Sequence, residues 1–304
     1  GVAAWLDLKT SFGSVRSTLS GEGGAPTATE ATVTIRCRTS AGDIDITRAT
    51  ATADGGLTAD SGAFWFFRPG NLELLVKVLD GKLSEYDWLH LHHEDFTGQF
   101  GKFERSYRNF PWYIQQKQEY YESARKHGFT KVSHLKLAAV KKIREFVLGG
   151  GFLFAMCSAT DTYDIALAAD GVDICAAVYD GDPPDPNAQK KLDFTHTFAF
   201  QDFVLKMDPY EYEYSSIDNV PEARGLAQEN DYFTLFEFSA KWDPIPTMLT
   251  QNHERVVKGF MGQTTAFHKS LIRPDVVVLG ENRSAGEAKY IHGIFGKGFW
   301  TFYG

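Results

Sequence analysis

The chain has no run of about 18 consecutive apolar residues, so nothing in it reads as a membrane-spanning helix. It has no excess of positive charge. Its 31 Lys and Arg against 39 Asp and Glu give a net charge of −8, which argues against a protein that grips nucleic-acid phosphates. Cysteine is scarce. Cys37, Cys157 and Cys175 are too few and too scattered for a disulfide framework or a Cys-x-x-Cys metal site. No signal peptide is visible, and the first residue is Gly1, as expected of a processed product or a fragment.

What is present is globular: 304 residues, 43% hydrophobic and 23% charged, enough for a sizeable core and two domains. Residues 1–81 are rich in Thr, Ala, Gly and Ser and alternate with period two at Thr32–Arg38 and Asp43–Thr47. With Glu73–Leu79 taken as a further strand, this predicts a β-rich region, a small and incomplete sandwich. Residues 20–30 read as a flexible loop. From 82 to 304 the pattern turns α/β. A strand over 86–92 and an amphipathic helix over 134–147, closed by Gly149, Gly150 and Gly151, are followed by a strand ending at Met156. Further strands are expected at 232–239 and 275–280, a hairpin at 288–294 with 298–303, and a long loop over 179–191. Strand, helix, strand, helix implies a parallel sheet with right-handed crossovers.

The chemistry concentrates where the apolar run Phe152–Met156 meets Cys157 and then Ser158, Ala159, Thr160 and Asp161. This reads as buried strand, sharp turn and helix, with the thiol on the turn facing a helix N-terminus. In a parallel sheet the loop after strand 86–92, carrying His92, His93, Glu94 and Asp95, would meet it. One reading makes Cys157 a nucleophile, His93 or His92 its base, and Glu94 or Asp95 the group that orients the base. Backbone N–H groups of Ser158 and the 95–98 loop would then form an oxyanion pocket, with Thr160 and Asp161 also in contact with substrate. The other reading makes Cys157 a packed small residue and the acidic cluster a solvated strand end. His196 and His292 would lie in or near strands that could point into the same cleft. A metal site from His90, His92, His93 and Glu94 is the lesser alternative, because neighbours on a strand face opposite ways, and no metal or cofactor is expected. The aromatics Phe64, Trp65, Phe66 and Phe67 read as a covered strand or a sugar-stacking platform.

The stretches Tyr86–Gly98, Gly149–Asp161, Ala240–Pro246, Gly259–Thr265 and Gly296–Gly304 resemble a Bacteroidetes-type family labelled asparagine synthetase B. The resemblance implies a flavodoxin-like fold of the class I glutamine amidotransferase-like and ThuA-like kind, with the Cys157 turn as nucleophile elbow. Two departures stand out. Amidotransferases place glycines around the nucleophile, where this chain has Ala155 and Ala159. The family's Gly-His-Asp-Pro continuation would fall beyond Gly304. No ATP-binding synthetase domain is visible. Gly62–Gly81 resembles a hairpin repeat of secreted bacterial β-domains, and Phe299–Gly304 has the form of the strand that follows it there. The resemblance implies an extracytoplasmic location and, if 73–79 pair with 299–303, an α/β module inserted in a β-hairpin. Together these lead to an amidotransferase-like or ThuA-like hydrolase of a small amide, ester or sugar-derived ligand. The alternative is an inactive module that binds a carbohydrate or a protein.

Overall fold

A computed structural model describes residues 72–219, 231–235, 256–259, 264–282 and 286–304, and the backbone of 3–10, 15–17, 32–39 and 44–46. The aromatics Phe64–Phe67 and the loop expected over 20–30 lie outside the described residues. The chain divides into two compact units, 1–61 and 62–304.

In the first unit, strands β1 (Ala3–Thr10) and β3 (Thr32–Thr39) pair in parallel, as do β2 (Val15–Ser17) and β4 (Ile44–Ile46). These are not the antiparallel hairpins of a β-sandwich. The alternating segments do form strands, as their period requires.

In the second unit, residues Leu72–Leu79 form a helix, α1, not a strand. Leu74, Leu75 and Val78 are all buried, which a helix allows at spacings of three and four. A strand would send Leu74 and Leu75 to opposite faces. The helix α1 packs against α3 (Pro111–Lys126) and α4 (Val132–Gly149). Residues 299–303 pair elsewhere, so the hairpin-insertion idea fails.

The sheet of this unit runs in the order β5 (Trp88–His92), β6 (Phe152–Met156), β12 (Gly298–Tyr303), β11 (Glu287–Phe295), β10 (Val277–Asn282), β7 (Tyr232–Leu235) and β8 (Val256–Lys258), with β9 (Phe267–His268) beside β11. Within this sheet β6 pairs in parallel with β5 and β12, and every other described pairing is antiparallel. The fold is a mixed α/β one with a partly parallel sheet, not a mostly parallel sheet. The hairpin of β11 and β12 turns at Gly296 and Lys297, as expected. Short helices α6 (Ala177–Asp180) and α7 (Ala188–Lys191) interrupt the long loop, and α2 (Glu104–Tyr107) precedes α3.

The unbroken apolar run of β6 has a direct cause: both faces of the sheet are covered. Leu153 and Ala155 join the large core with Leu89, Leu91, Ile143, Val147, Trp300 and Phe302. Phe152, Phe154 and Met156 face a smaller core with Phe233, Leu235, Tyr290 and Tyr303. The end of α4 lies so close to β12 that a Cβ on Gly298 would meet the Val147 carbonyl oxygen at 2.2 Å. Behind β6, α5 (Ser158–Ala168) has no exposed face; all eleven of its residues are buried. Its polar side chains must therefore find partners inside.

Candidate functional site

Cys157 joins β6 to α5. Its backbone has φ 53 and ψ −140, left-handed geometry that a residue with a Cβ adopts at a cost of about 1–3 kcal/mol. The neighbouring chain over-determines this bend. The Cys157 N–H donates to the Tyr303 carbonyl at 3.1 Å. The Cys157 carbonyl accepts from the Thr160 N–H at 2.9 Å and the Thr160 hydroxyl at 2.6 Å. The Ser158 N–H, first of the helix, favours the charged form of the sulfur. Thus Thr160 braces the turn, and Ser158, itself buried, contributes its amide.

The thiol is fully buried. Burial pushes its pKa well above the ordinary thiol range; Asp218 adds to this and Lys289 opposes it. The resting group is a neutral thiol, not the thiolate that a helix N-terminus alone would favour.

The strand β5 ends beside β6 at His92, and the following residue also takes left-handed backbone: His93 has φ 55. That twist cancels the strand alternation and turns both imidazoles to one side. Their Nδ1 atoms lie 3.1 Å apart. One ring nitrogen of each and the Cys157 sulfur all fall within 4.8 Å of one another. Burial holds the His92 pKa down at about 3, helped by His93 and His90, and lowers that of His93. Burial thus favours the neutral form of both rings and opposes the imidazolium. Both are partly exposed, so this is the open side of the cluster. His90 sits apart, with its Nε2 at 3.4 Å from the Met156 sulfur.

The acidic residues serve other ends. Glu94 is fully buried and forms an ion pair with Lys136 of α4 at 2.9 Å, beside the Tyr120 hydroxyl at 3.5 Å. Asp95 accepts from the Thr97 N–H and hydroxyl and from the Gly101 N–H, which fixes the loop after β5. Neither is held against an imidazole by these bonds. The Phe96 and Thr97 amides, offered as oxyanion donors, are taken by Thr162 at 3.2 Å and Asp95 at 2.7 Å. Asp161 is fully buried and accepts from the Thr264 hydroxyl at 2.8 Å, while its Oδ2 has no hydrogen-bond partner among the described residues. Burial, with Asp218 nearby, raises its pKa well above the ordinary carboxylate value and favours the neutral acid.

His196 lies in a short 3-10 turn, half exposed beside Asp193, not in a strand. His292 lies on β11, with its Nδ1 at 3.4 Å from the Thr301 hydroxyl.

Sequence reasoning missed a second tier. Asp218 accepts the Thr264 and Thr265 amides at 2.8 and 2.9 Å, and burial pushes its pKa up to about 7. Lys289 pairs with Asp231 at 3.0 Å and donates to the Thr265 carbonyl at 2.6 Å. Asp218 and Lys289 both act on the Cys157 thiol through their charge. Thr264 and Thr265 close one of the stretches that carried the family resemblance. Asp218 has no such flag, because it lies in an irregular segment.

Among the described residues no helix is long and apolar enough to cross a membrane. No family model and no curated protein matches the chain. Among solved structures it is similar to a cytoplasmic protein from Salmonella typhimurium, at 11% identity and a TM-score of 0.31. That alignment covers 74% of this chain and 62% of the other, so the chain spans less than two thirds of that structure. The extracytoplasmic location implied by the hairpin-repeat resemblance is withdrawn: Leu72–Leu79, within the stretch that carried it, is a helix and not a hairpin strand.

Proposed function

We propose that this chain is a cysteine-dependent hydrolase of a small amide or ester, on a flavodoxin-like fold of the class I glutamine amidotransferase-like or ThuA-like kind. The observation that carries the reading is the left-handed backbone of Cys157 between β6 and α5. Strain of that kind, held at a strand-to-helix bend, is how nucleophile elbows lift a side chain off the end of a sheet. The imidazoles of His92 and His93 support it, being close to the sulfur.

In this reading substrate approaches from the imidazole side. The Cys157 sulfur attacks the carbonyl carbon while the histidine pair takes the thiol proton. The Ser158 amide at the head of α5 turns toward the developing oxyanion. The carbon–nitrogen or carbon–oxygen bond breaks, and the proton passes to the leaving amine or alkoxide. Water then cleaves the thioester, returning a proton to sulfur and releasing the acid. Burial raises the thiol pKa and lowers those of the imidazoles, so the closed site opposes this proton transfer and substrate binding must drive it. Glu94 and Asp95 act by holding the loop that carries the histidines.

The test is turnover of a panel of p-nitrophenyl esters and of L-glutamine by the wild-type chain, Cys157→Ser and His93→Ala. The expected result is activity on at least one ester, lost in Cys157→Ser and cut about 100-fold or more in His93→Ala. Activity that survives Cys157→Ser at the wild-type rate refutes the reading.

One observation favours a second reading, a binding module for carbohydrate. Tyr107, Phe110, Trp112 and Tyr212 are each more than a third exposed and lie in a chain of ring contacts through Phe103, with Tyr107 5.3 Å from Trp112. Exposed rings so arranged offer faces on which sugars stack. Oligosaccharide binding that Trp112→Ala removes and Cys157→Ser leaves unchanged supports this reading; saturable binding unaffected by Trp112→Ala counts against it.

A further inference from the structure

We infer that His92, His93 and Cys157 form a binding site for one divalent transition-metal ion of the zinc class, ligated by one ring nitrogen of each histidine and by the cysteine sulfur. The site shares side chains with the hydrolase reading but does not depend on it.

The geometry is that of a ligand set. The three donor atoms lie within 4.8 Å of one another. The 3.1 Å between the two Nδ1 atoms is close to the edge of a zinc tetrahedron, about 3.3 Å for zinc–nitrogen bonds of about 2.0–2.1 Å. Two nitrogens and a thiolate suit zinc, cobalt or copper and not magnesium or calcium, which take oxygen. Adjacent strand residues would ordinarily face opposite ways; the left-handed backbone at His93 brings both rings to one side, and that at Cys157 sets the thiol at the bend. The partly exposed rings leave a way in for the ion and a fourth position for water.

A contrast within the molecule sharpens the choice. Asp173, Cys175 and Asp180 also bring three donor atoms together. There the chain supplies its own cation: Lys131 pairs with Asp173, with Asp180 at 3.0 Å and with Asp182 at 2.7 Å. At His92, His93 and Cys157 the cation whose charge reaches the thiol, Lys289, is held instead by Asp231 and the Thr265 carbonyl.

Binding breaks the Cys157 S–H bond, forms a sulfur–metal bond and releases one proton to solvent. A sulfur so held is no longer free to attack a carbonyl. The metal-loaded protein is therefore the inactive form of the proposed hydrolase, and a chelator restores it.

The experiment is titration of the chelator-treated full chain with Co2+, read by absorption. The expected result is a thiolate-to-cobalt charge-transfer band that saturates at one ion per chain. Zn2+ should displace it. Cys157→Ser should abolish the band, Cys175→Ser should retain it, and His92→Ala should weaken cobalt binding at least tenfold. No band in the wild-type chain overturns the inference without recourse to any variant. A band that persists in Cys157→Ser, or cobalt affinity unchanged in His92→Ala, overturns it as well. Ester turnover by the chelator-treated protein reads the hydrolase separately, so either idea can fail alone.

Discussion

The Nδ1 atoms of His92 and His93 lie 3.1 Å apart although the two residues are neighbours in sequence. A regular strand would separate them across the sheet. The left-handed backbone of His93 brings them together, and β5 delivers them to the bend after β6 because the two strands pair in parallel, His92 opposite Met156.

The ion pair between Glu94 and Lys136 is fully enclosed, so its loss should be felt as stability before activity. Lys136→Met should lower the unfolding free energy by about 3–5 kcal/mol, because it strands a buried carboxylate. Adding Glu94→Gln should recover most of that loss. Chemical denaturation of the single and double variants checks this. A single variant as stable as wild type would remove Glu94 from its structural role.

Asp164 receives the amides of Phe198, Ala199 and Phe200 at 2.7, 2.7 and 2.9 Å. It ties α5, and with it the Cys157 bend, to the 198–200 segment. Asp164→Ala should cost roughly 3 kcal/mol or more, since it leaves three buried donors unpaired. Thermal and urea unfolding measure the loss.

Asp161 makes stability depend on pH. Its folded-state pKa is raised, so the fold favours the protonated acid. Its contribution is complete below the ordinary aspartate pKa of about 3.9 and is lost as pH rises toward the higher folded value. Stability should therefore fall as pH climbs from about 4 toward neutrality. Asp161→Asn, which resembles the neutral acid, should flatten that slope and gain on wild type at the higher pH. Urea midpoints across the range test the sign; a steeper slope in the variant would contradict it.

Much of this was legible in the chain. The β6–Cys157–α5 unit, α4 and the final hairpin announce themselves, because an apolar run, a 3.6-residue period and a Gly-Lys-Gly turn each leave few options. The segment Leu72–Leu79 misled because a short, dense apolar run suits either a buried strand or a docked helix, and packing against α3 and α4 decides. The antiparallel half of the sheet was hidden for a related reason: pairing direction is a property of distant partners. The convergence of His92 and His93 depends on one backbone angle that no residue type there demands. Asp218 and Lys289 reach the thiol's surroundings only through the tertiary fold.

The proposed hydrolase requires Cys157 to form a bond to an acyl group. Rapid mixing of the chelator-treated chain with p-nitrophenyl acetate, followed by intact-mass and peptide analysis, tests it most directly. The expected result is a burst of p-nitrophenol of about one equivalent per chain, with an acetyl group on Cys157 and neither burst nor adduct in Cys157→Ser. A wild-type chain with no burst, or with the acetyl group on another residue, would contradict it.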